Sequence, residues 1–79
     1  MTLEQITQRI TLARERMERQ RGLIEQLAKS GDDTRAPEAI FRTMRRTLED
    51  LEEDRRQIED ELYSAKAEQG WKVTGSTGN

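Results

Sequence analysis

The chain has no cysteine and no histidine. Disulfides, thiolate nucleophiles, zinc sites with nitrogen or sulfur ligands and imidazole general bases are therefore excluded as chemistry of these residues. Aromatic residues number three, Phe41, Tyr63 and Trp71, and there is one proline, Pro37. Hydrophobic residues make up 32% of the 79 positions and charged residues 38%, too little apolar bulk for a globular core of ordinary thickness. No apolar run approaches bilayer length, so no membrane span is expected. The opening residues lack the apolar stretch of a signal peptide, and a cytoplasmic location is the expectation.

What the chain does have is heptad spacing. Leu3, Ile6, Ile10, Ala13, Met17, Gln20, Ile24 and Leu27 step by three and four without a break, with Gln20 as the polar exception. Phe41, Met44, Leu48, Leu51, Arg55, Ile58, Leu62 and Ala65 do the same, with Arg55 as the exception. A coiled-coil seam needs only two apolar positions in seven, so this composition suffices for two helices packed along one narrow stripe. The regular seam and a net charge of only -2 argue against disorder.

The boundaries follow from local chemistry. Thr2 with Gln5 three residues later spells a capping box, and Glu4 puts negative charge in the first turn. Lys29 suits the last turn and Gly31 the left-handed residue after it, so helix 1 is expected over about 3–30. Gly22 lies inside the helix at a solvent-facing heptad position and reads as tolerated. The turn is 31–35. Thr34 is the preferred cap of helix 2, with Pro37 in its first turn, where a missing N–H does no harm. Helix 2 is expected over about 36–68, within a hairpin spanning 1–69. Gly70 then ends it, and residues 70–79, with three glycines and small polar residues, read as a flexible tail.

A short turn returns the second helix antiparallel. The expected fold is all-α: an antiparallel two-helix coiled-coil hairpin, able to dimerise into a four-helix bundle. The two seams fit when facing residue numbers sum to 68. That places Leu27 against Phe41, Ile24 against Met44, Met17 against Leu51, Ile10 against Ile58, Ile6 against Leu62 and Leu3 against Ala65. Gln20 then faces Leu48, and Arg55 crosses over the small Ala13 with its guanidinium outward. Charges agree: Arg9, Arg14, Arg16, Arg19 and Arg21 run opposite Glu49, Asp50, Glu52, Glu53, Asp54 and Glu59. Expected pairs are Arg9 with Glu61, Arg14 with Glu52 and Arg16 with Asp54, each worth only about 0.2–1 kcal/mol.

Two surfaces offer themselves for function. A lone hairpin buries only one side of each helix, so the off-seam residues Leu12, Leu23, Ile40 and Tyr63 are the candidate protein interface, and a homodimer the expected partner arrangement. An unidentified protein partner is the other occupant. Near the turn, Arg19, Arg21, Arg42, Arg45 and Arg46 form a candidate phosphate-contacting corner, with Arg21 and Arg45 facing each other unrelieved. The pI of 5.2 and the lack of interleaved aromatics make nucleic acid the second reading.

Enzymatic chemistry finds no footing. The acidic clusters 49–50, 52–54 and 59–61 read as a solvated helical face, no nucleophile–base pair can be assembled, and Gly70, Gly75 and Gly78 have neither the spacing nor the preceding strand of a phosphate loop. Neither catalytic nor metal residues are expected, and no cofactor.

Arg19-Gln20-Arg21-Gly22-Leu23-Ile24-Glu25-Gln26-Leu27, followed by Lys29-Ser30-Gly31-Asp32-Asp33-Thr34, resembles a run in small uncharacterised helical-hairpin proteins of α-proteobacteria such as rhizobia. Their pattern continues from a Gly-x-Asp-Thr turn to a second helix closing in an acidic-Arg stretch before Leu, here Glu53-Asp54-Arg55-Arg56-Gln57-Ile58-Glu59-Asp60-Glu61-Leu62. The likeness covers about residues 5–62. This chain departs from it by lacking the histidines those proteins often carry and by having Pro37. The resemblance implies a hairpin fold; it implies no activity and no functional residue.

Overall fold

The computed structural model describes the backbone of residues 1–77 and the side chains of residues 1–66. Two helices, α1 (Leu3–Lys29) and α2 (Arg35–Thr77), pack against each other as an all-α hairpin. The molecule is a rod of 74 × 17 × 15 Å. At 1.5 Å per residue α1 is about 40 Å long, so the 43-residue α2 extends well past it.

Both ends of α1 are closed by local chemistry. The Gln5 N–H donates to the Thr2 hydroxyl at 3.1 Å, and the Thr2 N–H donates to the Gln5 side-chain carbonyl at 3.0 Å. Two N–H groups that no helical carbonyl can reach are thereby satisfied reciprocally. At the other end the Asp32 N–H reaches back to the Leu27 carbonyl at 2.9 Å and the Gly31 N–H to the Ala28 carbonyl at 3.1 Å. This paired closure needs a left-handed residue, and Gly31 supplies it at φ 77°.

Thr34 stands at the cap position of α2, its carbonyl accepting from the Glu38 N–H at 2.9 Å. The side-chain cap comes instead from Asp33, whose carboxylate accepts the Arg35 N–H at 3.0 Å. Thr34 itself is half-buried and used for packing. The helix carries through Gly70 to Thr77 rather than closing near Glu68. One glycine costs about 1 kcal/mol relative to alanine, which does not by itself stop a ladder already propagating. The side chains of Trp71 and Val73, and the last two residues of the expected tail, lie outside the described residues.

Every expected seam position of α1 is half-buried or buried, and Ile6 and Ile10, at 0% and 1% exposure, are the core among the described residues. On α2 the seam runs from Thr34 and Pro37 through Phe41, Met44, Leu48, Leu51 and Arg55 to Ile58. Leu62 is 54% exposed and Ala65 is exposed, against expectation. The Gln20 side-chain amide donates to the Pro37 carbonyl at 2.9 Å. Pairing Gln20 with Leu48 would leave those groups more than about 15 Å apart along the axis. The pairing on α2 has therefore moved one heptad toward the turn. Leu27 meets Thr34, Ile24 meets Pro37, Gln20 meets Phe41, Met17 meets Met44, Ala13 meets Leu48, Ile10 meets Leu51, Ile6 meets Arg55 and Leu3 meets Ile58.

The reason is the tightness of the turn. With α1 closed at Lys29 and α2 opening at Arg35, the first turn of α2 lies level with the last turns of α1. The earlier pairing would have pushed that turn beyond the end of α1, leaving Pro37 nothing to pack on. Pro37 is a seam residue as well as a helix opener.

Candidate interaction surface

With the seam consumed, each helix shows two flanks. Taking Leu3 and Phe41 as heptad position a, the g and c positions of both helices lie on one long face of the hairpin and the e and b positions on the opposite one. The two faces have different chemistry.

The e/b face is ionic. Arg21 is clamped by Glu18 and by Glu25, the second at 2.6 Å. Arg14 reaches Glu52 across the helices at 4.0 Å, with both groups well exposed, and Arg56 meets Glu53 at the outer edge at 2.6 Å. The hydrogen bond from Arg21, and then its charge, hold the Glu18 carboxyl below the usual carboxylate range and raise the Arg21 guanidinium. At the turn, Asp33 is lowered in the same way by the Arg35 side chain and then by the Arg35 N–H.

The g/c face is different. Ala13, Ala39, Ile40, Thr43, Met44 and Thr47 line an open groove of about 420 Å³, with Arg16 on its rim. The groove exists because most of its lining is small: Ala13 on α1 and Ala39, Thr43 and Thr47 on α2 leave a hollow around Ile40 and Met44. The Thr43 hydroxyl donates to the Ala39 carbonyl at 3.2 Å, which leaves its methyl for the groove. A neighbouring depression of about 330 Å³, sharing Ala13, Arg16 and Thr47, extends it past Leu12 to Leu51.

The candidate interface residues divide accordingly. Leu23 and Ile40, 44% and 50% exposed, come together on the g/c face, and Leu12, 52% exposed, lies on the same face about 16 Å along α1 from Leu23. The heptad shift sets Leu23 and Ile40 at directly opposed g positions. Tyr63, 75% exposed, sits at a b position near the far end and does not join them.

The five arginines of the candidate phosphate corner are not gathered. Arg19 lies on the g/c face, Arg21, Arg42 and Arg45 on the e/b face, and Arg46 on the outer side of α2. Arg21 is also relieved by two carboxylates of its own helix, which corrects its expected unrelieved standoff with Arg45.

Other charges moved with the register. Neither Arg9–Glu61 nor Arg16–Asp54 is an ion pair among the described residues. Arg55 lies in the layer of Ile6 rather than of Ala13, and its side chain is only 31% exposed. Its buried Nε lies 3.3 Å from Glu59 without a well-aligned hydrogen bond. A half-buried charge compensated mainly by proximity is costly to lose a partner.

Sequence reasoning placed the small Ala13 in the seam but did not read it, Ala39 or Thr43 as groove walls, nor Arg9 and Arg16 as members of one face. The signal was present: α1 carries no acid at g or c positions, and the helical g and c positions of α2 before Lys66 carry no base. Among the described residues no cluster of acidic side chains is placed to hold a metal ion, and no helix is long and apolar enough to cross a membrane. No protein-family model, curated protein or solved structure matches the chain.

Proposed function

We propose that this chain is a non-enzymatic protein–protein interaction module that self-associates, burying its g/c face against a second copy to make a homodimeric four-helix bundle. The observation that carries the reading is the coincidence of three exposed apolar residues, Leu12, Leu23 and Ile40, with a concave groove of small side chains on one face. A groove flanked by apolar knobs is what a helix face packs into. A hairpin in which only two side chains among the described residues are fully buried gains stability from such burial. Membership of the rhizobial-type hairpin proteins and a cytoplasmic location belong to the same proposal.

Docking on nucleic acid has less support, because the arginines that would contact phosphate are spread over three sides of the rod. Sedimentation over a concentration series tests the main reading. A monomer–dimer equilibrium at micromolar concentration is expected. A monomer throughout, with DNA or RNA binding that falls steeply as salt rises, would replace it with the second.

A further inference from the structure

We infer that the two copies pack about a two-fold axis running along the hairpin, so that both turns lie at the same end and α1 of each copy lies on α2 of the other. The inference rests on the self-association proposed above and adds its geometry.

On the g/c face the charges are segregated by helix. α1 presents Arg9, Arg16 and Arg19 there, and α2 presents Asp50, Asp54 and Glu61. None of the six is in an ion pair among the described residues. One long edge of the face is thus basic and the other acidic, with the groove between them.

Two identical faces can meet about only two kinds of two-fold axis, each lying in the plane of contact. An axis across the rod sets α1 on α1 and α2 on α2. That operation also reverses height: about the middle of α1 it sets Arg16 on Arg16 and lays Arg9 on Leu23, Asp50 on Ile40 and Asp54 on Ala36 of the other copy, so charges meet a like charge or an apolar residue, an arrangement that repulsion and desolvation disfavour. An axis along the rod sets α1 on the partner's α2 at unchanged height. Arg9 then falls between Asp50 and Asp54 of the other copy. Leu23 falls between Ala36 and Ile40 of the other copy, and Arg16 between its Thr43 and Thr47, whose hydroxyls accept from a guanidinium. Arg9 thus meets two aspartates and apolar end meets apolar end in one operation, while Arg16 and Arg19 lie over the hydroxyls and Ile40 rather than over a cation.

The chain has no cysteine, so one can be placed at will. Asp32→Cys puts it in the exposed turn, at a residue whose recorded bond is made by its backbone. A nitroxide there is read by pulsed electron paramagnetic resonance on the dimer, after sedimentation of the unlabelled protein has shown one. Turns at the same end give a distance below about 25 Å, from interaxial spacings of about 10 Å plus the label arms. Turns at opposite ends give about 50 Å. The short distance is expected; the long one overturns this geometry and leaves self-association standing. A monomer at every concentration overturns both.

Arg9→Glu gives a second reading without a label. It is expected to weaken the dimer about tenfold, because each of two symmetric contacts turns repulsive. Restoration by the double variant Arg9→Glu/Asp50→Arg is expected too. If Arg9→Glu leaves the dimer unchanged or tightens it, Arg9 does not face the aspartates of the other copy in the wild type and the lengthwise axis is overturned.

Discussion

The two long faces of the hairpin share one seam, yet their charges are disposed differently. On the e/b face cations and anions are mixed along each helix. Arg21 finds its partners three and four residues away on the same helix, at Glu18 and Glu25. On the g/c face the signs are separated by helix, Arg9, Arg16 and Arg19 on one and Asp50, Asp54 and Glu61 on the other. A face whose charges close locally needs nothing further. A face whose charges stand in two opposite rows on either side of an apolar groove is left complementary to itself. Exposed ion pairs contribute little to stability, about 0.2–1 kcal/mol each, but opposed rows choose between orientations effectively.

The largest way to break this comparison is to remove what both faces stand on. Ile10→Ala should cost about 2–4 kcal/mol, because it opens a cavity in the best-packed layer. Thermal unfolding followed by circular dichroism should show the melting temperature falling steeply, with association lost alongside.

Next comes the contrast itself. Leu23→Lys together with Ile40→Lys should raise the dimer dissociation constant by about a hundredfold or more, since each buried aliphatic side chain is worth about 1.5–3 kcal/mol. Tyr63→Lys, outside the g/c face, should leave it within about twofold in the same sedimentation series. If the two variants weaken the dimer equally, the groove is not the contact.

Gly22→Ala sharpens the separation of folding from association. A methyl group added there meets nothing within 4 Å, and its f position belongs to neither face. Stability should rise by about 0.5–1 kcal/mol, seen as a higher melting temperature of the monomer at high dilution, with contacts between copies unaffected.

The smallest effect belongs to the ionic face. Glu18 has a lower pKa folded than unfolded. Its contribution is therefore present above the ordinary glutamate range and is lost as pH falls through that range to its lowered folded value. Arg21→Gln should melt slightly below wild type at neutral pH, and the gap should close on acidification. A gap independent of pH would mean that Arg21 acts through packing rather than through Glu18.

Much of this was legible in the chain. The capping box at Thr2 and Gln5, the closure at Gly31 and every seam position of α1 depend on neighbours within a few residues, and local spacing reports them directly. Leu12, Leu23 and Ile40 were legible as off-seam apolar residues. Their convergence with the small walls at Ala13, Ala39 and Thr43 was not, because a groove is a property of two helices at a given height. Tyr63 shows the same limit from the other side: it is off the seam like the rest, and its place near the far end sets it apart.

The amino-acid sequence by itself determined two helices, the stripe and both closures of α1, and the antiparallel return. The tertiary structure decided the register. A heptad pattern maps onto itself when one helix slides by seven residues, so periodicity cannot separate the pairing of Leu27 with Phe41 from that of Leu27 with Thr34. The tight closure at Gly31 brings α2 level with the end of α1 and seats Pro37 against Ile24. From that one step follow the exposure of Leu62, the burial of Arg55 beside Ile6 and the alignment of Leu23 with Ile40.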